Sequence, residues 1–137
     1  MKKIALLTLL SSLSLFAHTL TIEVSHIENN RGQILIGLFN QSEGFREVDK
    51  TYQKGSLTTI NDKSMVYTFK DIPKGIYAIS LFHDENSNNK LDTNFIGMPK
   101  EGYGFSNNIR HIFRPTTFDE AKFGLNGNLN MTVELGY

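Results

Sequence analysis

Gly75–Phe82 reads GIYAISLF, and Asp84–Asp92 just beyond it reads DENSNNKLD. In an extended chain the first run puts Tyr77, Ile79 and Leu81 on one face and Ile76, Ala78 and Phe82 on the other. A strand apolar on both faces belongs inside a packed structure, not at its surface. Gln33–Phe39 (QILIGLF) has the same character and marks a second central strand. Leu20–Ile27, Ser64–Phe69 and Leu129–Leu135 alternate apolar and polar residues, as half-buried strands do. Ser56–Ile60 (SLTTI) is a weaker signal of the same kind. His26 falls at the inward parity of the first strand.

Turn chemistry separates these runs. ENNRG follows the first, NDK lies between Ile60 and Ser64, Pro73 and Gly75 flank a tight turn, and LNGN precedes the last. Two stretches read as short helices: Glu43–Tyr52, and Thr117–Phe123, where Thr117 and Glu120 have capping-box spacing. The expectation is an all-β antiparallel β-sandwich, immunoglobulin-like or prealbumin-like, with about seven strands and one or two short helices.

Met1–Ala17 carries Lys2 and Lys3, an apolar run from Ile4 to Phe16 and a small residue at its end. That is the pattern of a secretory signal peptide, too short to span a bilayer. Leu15 stands where a second small residue is usual. Cleavage after Ala17 leaves residues 18–137 as one domain with a sizeable core, in the periplasm or secreted, with no transmembrane segment. Without Lys2 and Lys3 there are twelve basic residues against fourteen acidic ones. That balance, with no Lys/Arg cluster, argues against nucleic acid. The absence of cysteine excludes disulfides, thiolate metal sites and thiol catalysis.

The oxygen-rich run is the principal candidate site. Asp84, Asn86, Asn88 and Asp92 occupy positions 1, 3, 5 and 9 of a calcium-type loop, and Lys90 at position 7 would offer its carbonyl. A hard cation needs six to eight oxygens, and alternate side chains of a curled loop point inward together. Position 6 is Asn89, which tolerates left-handed geometry. Position 12 is Phe95, so the usual bidentate glutamate would come from Glu101 instead. The plain alternative is an Asx-rich turn whose side chains bond their own backbone. Beyond it, Tyr103 and Phe105 with His83 form a candidate ligand-binding surface, or else the aromatics plug an open end of the sandwich. His83 is also placed to orient Asp84. His111 has no evident partner.

His18 would become the first residue after cleavage, with an amine and an imidazole suited to copper. That keeps an oxidative enzyme with a histidine brace as an alternative to a non-enzymatic module. Ser106 in GFSNN is not a nucleophile elbow. Asp84, Asp92 and Glu101 among asparagines suit an ion better than glycosidase chemistry.

The segments GQILIGLFNQSEGF, IPKGIYAISLFHDENSNNKLDTNFIGMPKEGYGFSNN and RPTTFDEAKF resemble the bacterial exported family termed domain of unknown function 2141. The resemblance covers nearly all of residues 18–137 and implies an exported β-sandwich with no established reaction. PKGIYAISLFHDENSN also resembles the strand and calcium loop of surface-protein B-type repeats, which favours Ca²⁺ at the loop. The family is not associated with an N-terminal histidine. The resulting expectation is a binding or accessory module of the cell envelope, its partner an envelope ligand or protein, with a purely structural envelope domain as a further alternative.

Overall fold

The computed structural model describes residues 17–137. The signal-peptide reading of Met1–Phe16 therefore lies outside the described residues. Eight strands form two sheets: β1 (Ala17–Ser25), β2 (Gln33–Phe39), β3 (Gln53–Leu57), β4 (Met65–Pro73), β5 (Gly75–Asp84), β6 (Tyr103–Phe105), β7 (Phe123–Leu125) and β8 (Leu129–Glu134). One sheet has the order β4-β1-β8, the other β3-β2-β5-β6. β7 shares the outer edge of β5 with β6, pairing Gly75–Tyr77 while β6 pairs Ser80–Phe82. Among the described residues no helix is long and apolar enough to cross a membrane.

The two faces of β5 meet two different cores, which accounts for its double apolar pattern. Tyr77, Ile79 and Leu81 join Leu20, Ile22 and Val24 of β1 and Ile34, Ile36 and Leu38 of β2 between the sheets. Ala78 faces the other way into a smaller cluster with Phe39, Phe45, Phe105 and Ala121. Each large apolar side chain buried in this way contributes about 1.5–3 kcal/mol. Phe45 holds the second cluster together by edge contacts to Phe39 and Phe118, with ring centroids 5.1 and 5.8 Å away.

Four expectations need adjustment. The sheets are not wholly antiparallel, because β1 and β8 run parallel, Leu20 opposite Leu129 through Ser25 opposite Glu134. Equal parity across that pair keeps Leu20, Ile22 and Val24 on the same face as Leu129, Met131 and Val133. Glu43–Tyr52 holds only a 3-10 turn at Val48–Lys50. Gly44 at φ +73° and Arg46 at φ +78° interrupt any right-handed helix there. The Ser56–Ile60 signal is displaced to Gln53–Leu57, since Leu57 already faces Ile34 near the start of β2 and Thr58–Ile60 run past it. His26 is exposed at φ +61°, just beyond the end of β1, so its inward parity is not realised.

The second helix does form as α1 (Phe118–Ala121) with a complete capping box. The Glu120 amide donates to the Thr117 hydroxyl, and the Thr117 amide donates to the Glu120 carboxylate.

Candidate functional site

β5 ends at His83 and Asp84, and the chain then makes a long excursion that returns at Glu101 to enter β6. Asp84 is fully buried. Its carboxylate accepts the amides of Asn88 (3.1 Å) and Asn89 (2.9 Å) and the Gln33 side-chain amide (3.0 Å). Asn89 adopts φ +63°, the left-handed geometry its position demands. Asn86 and Asn88 each accept a backbone N–H two residues on, which makes two successive Asx turns. Their side-chain amides donate to Asp92, at 2.7 Å from Asn86 and 2.9 Å from Asn88. These bonds hold the Asp92 carboxyl below the usual carboxylate range.

Glu101 closes the excursion. It is buried, and it accepts the amides of Glu85 (2.6 Å) and Asp92 (2.9 Å), one on each carboxylate oxygen. Burial pushes its pKa up, the two amides oppose that, and the charges of Asp92 and Asp84 add to the rise. Glu101 thereby ties the start of the loop to its middle.

The structure thus brings Asp84, Asn86, Asn88, Lys90, Asp92 and Glu101 into one loop, with most side-chain oxygens engaged by N–H donors. Among the described residues no group of three or more His, Cys, Asp or Glu is close enough together to hold a metal ion. His18 lies in β1 opposite Ile72 of β4.

His83 does not orient Asp84. It is fully buried, with Nδ1 2.6 Å from the Tyr137 hydroxyl and Nε2 2.6 Å from the Arg31 carbonyl. One nitrogen donates to the carbonyl, and the other accepts from the phenol. The Tyr137 ring packs so closely that a Cβ on Gly102 would lie 2.5 Å from it. Phe105 is buried in the second cluster. Of the three residues expected at a binding surface, only Tyr103 is partly exposed, and the Arg110 guanidinium sits 5.3 Å from its ring centre. Tyr103 and Phe105 nevertheless both line the adjacent cleft, whereas His83 does not.

The open surface includes Tyr103 and Phe105. The excursion on one side and residues 109–116 on the other bound a cleft of about 550 Å³ floored by Ser80, Leu81 and Phe82 of β5. Its apolar walls include Ile96, Met98, Ile112 and Phe113. Ile112 is 73 % and Phe113 95 % exposed, and Phe95, next to Ile96, is 99 % exposed. Arg46, His111 and Arg114 also line the cleft, and no Asp or Glu does.

Two of those three basic groups are already engaged. Glu120 accepts from Arg114 Nη2 at 2.6 Å and lies 3.0 Å from His111 Nε2. The Arg114 guanidinium, the Thr117 amide and His111 hold the Glu120 carboxyl at about 2. Thr116 fixes the same loop by donating to the Ile109 carbonyl. None of Arg46, Ile112, Phe113 or Tyr137 stands out in the sequence by motif. The apolar pair Ile112–Phe113 between charged residues and Pro115 was the one available signal.

No curated protein and no solved structure matches the chain. A family model described as "Uncharacterized protein conserved in bacteria (DUF2141)" matches residues 22–134, from β1 through the last residue of β8. On that match, which spans both sheets, the excursion and the cleft, the chain belongs to the DUF2141 family.

Proposed function

We propose that this domain is an exported, non-enzymatic binding module of the bacterial cell envelope, and that an apolar ligand occupies the cleft between the excursion and residues 109–116. The observation that carries this reading is the cleft itself. Its volume of about 550 Å³ falls within the range of small-molecule sites. Exposed Ile112 and Phe113 on its wall give apolar surface that a ligand would remove from water. The export reading is supported by Lys2, Lys3 and the apolar run that follows them.

Titration with the fluorescent apolar probe N-phenyl-1-naphthylamine tests the cleft. Binding is expected, and Ile112→Glu should weaken it at least about tenfold by placing a charge on the apolar wall. The side chain is exposed, so the melting temperature should stay unchanged. Equal binding by wild type and variant would refute the assignment.

A second reading places Ca²⁺ in the loop, held by Asp84, Asn86, Asn88, the Lys90 carbonyl, Asp92 and Glu101. It is favoured by the calcium-type spacing of Asp84, Asn86, Asn88 and Asp92 and by the Glu101 carboxylate that joins Asp92 to Glu85, which puts three carboxyl groups, Asp84, Asp92 and Glu101, in one loop. None of the three forms an ion pair with Lys or Arg among the described residues. A half-turn of the Asn86 and Asn88 amides would exchange donors for oxygens around Asp92. Trading existing hydrogen bonds for metal ligands makes such a site weak, with a dissociation constant of about 10⁻⁴–10⁻³ M.

A further inference from the structure

The cleft is asymmetric in charge, and one of its charges has no internal counterpart. Arg114 and His111 share Glu120. Arg46 makes no ion pair and no side-chain hydrogen bond among the described residues. It borders the main cleft and also the two smaller depressions next to it, one over β2 and β3 and one beside α1. Arg46 also sits at φ +78°, where glycine is favoured and a long side chain is strained. Strain of that kind is a recurrent feature of functional positions. The main cleft that Arg46 borders is lined by apolar residues with a few polar ones and by no carboxylate, and the depression beside α1 includes Asp119, which is paired with Lys122.

We propose that the ligand is a single-chain amphiphile with a carboxylate head, its chain lying along Ile96, Met98, Ile112 and Phe113 and its head bound by Arg46. This deepens the cleft reading and rests on it. The guanidinium fork matches a carboxylate in two parallel hydrogen bonds, which a hydroxyl head cannot reproduce. Arg114 cannot substitute, because its fork is already engaged by Glu120 at 2.6 and 3.2 Å. A free amphiphile is favoured over a bilayer by the concavity of the site: Ser80, Leu81, Phe82 and Met98 lie below the exposed Ile96, Ile112 and Phe113, whereas a membrane surface would meet only those exposed residues.

The test compares laurate, dodecanol and dodecyltrimethylammonium as competitors of the naphthylamine probe, for the protein and for Arg46→Gln, Arg46→Lys and Arg46→Gly. Laurate should displace the probe at a concentration at least about tenfold lower than dodecanol, the magnitude of a charge-assisted hydrogen bond. The cation should be the weakest. Arg46→Gln should erase the preference for laurate while leaving dodecanol unchanged, and Arg46→Lys should retain part of it. Arg46→Gly relieves the backbone strain, so it keeps the test open if the glutamine variant folds poorly. Displacement by laurate and dodecanol alike in the wild type, or a laurate preference that survives in both Arg46→Gln and Arg46→Gly, overturns the head-group assignment and leaves the apolar cleft standing. Failure of the probe to bind at all removes the cleft reading and this proposal with it. Sedimentation with phosphatidylglycerol vesicles, without displacement by laurate, would make the rim a membrane-docking surface and also overturn the proposal.

Discussion

Two glutamates anchor the two walls of the cleft, and they do so by opposite physics. Glu101 is buried and accepts two backbone amides, so its partners are part of the chain's own path. Glu120 is partly exposed, and apart from the Thr117 amide it takes side chains, Arg114 and His111. The first carboxyl is pushed up by burial, and the second is pulled down to about 2 by a guanidinium. One wall is thus fixed by satisfying buried polar groups, and the other by charge pairing in contact with water. The excursion, tied through Glu101, directs its oxygens inward. The 109–116 wall, tied through Glu120, leaves Ile112 and Phe113 exposed. The difference teaches that two loops can border one cleft while being held by different physics, the excursion contributing Ile96 and Met98 to its lining and the 109–116 wall contributing Ile112 and Phe113.

The sharpest way to break this comparison is to remove Glu101. Glu101→Ala strips two partly buried amides of their acceptor, and each charge-assisted bond is worth about 1.5–3 kcal/mol. A loss of about 3 kcal/mol is expected by urea denaturation in chelator. Phe113→Ser, on the other wall, should change stability by less than about 0.5 kcal/mol. Comparable losses in the two variants would show that the walls are held alike.

Next in size is the effect of calcium. At a hundredfold excess over its dissociation constant, Ca²⁺ would stabilise the fold by about 2.7 kcal/mol. That corresponds to several degrees in melting temperature for a domain of this size. Mg²⁺ should do much less, because it holds its water and requires a rigid octahedron. Asp92→Asn should abolish the shift without disturbing the calcium-free melt. Identical melts in chelator, Mg²⁺ and Ca²⁺ would leave the loop as a set of Asx turns.

The sequence made the frame more legible than the cleft, and the reason is range. β2 and β5 could be read because their alternation is local and both of their faces are buried. The capping box of Thr117 and Glu120 could be read because it spans three residues. β6 and β7 could not: each has three residues and exists only because an edge of β5 is free to pair with it. The calcium-type spacing of Asp84 to Asp92 was plain, but spacing does not say whether the side-chain oxygens meet an ion or the chain's own amides. His83 looked like a neighbour of Asp84, whereas its hydroxyl partner is the last residue of the chain. Arg46, Ile112 and Phe113 border one cleft only through tertiary folding, and apart from the apolar pair Ile112–Phe113 between charged residues nothing in their local sequence marks it.

The smallest effect expected is also the most specific to one wall. The Glu120 carboxyl has an ordinary value of 4.5 and a folded value of about 2, with Arg114 as the main cause. Because the folded value is the lower one, the stabilisation is complete above about 4.5 and is lost as pH falls toward 2. Glu101 is raised in the folded state, so its contribution runs the other way and weakens as pH rises through its folded value. Acidification from pH 5 to pH 3 should therefore loosen the 109–116 wall while the Glu101 tie is protonated but kept in place. Side-chain carboxyl chemical shifts followed by NMR against pH would give the two midpoints directly. Arg114→Gln should return the Glu120 midpoint toward 4.5 and leave that of Glu101 where it was. A Glu120 midpoint already near 4.5 in the wild type would mean that Arg114 is not its anchor in solution, and the proposed contrast between the walls would fail at its exposed end.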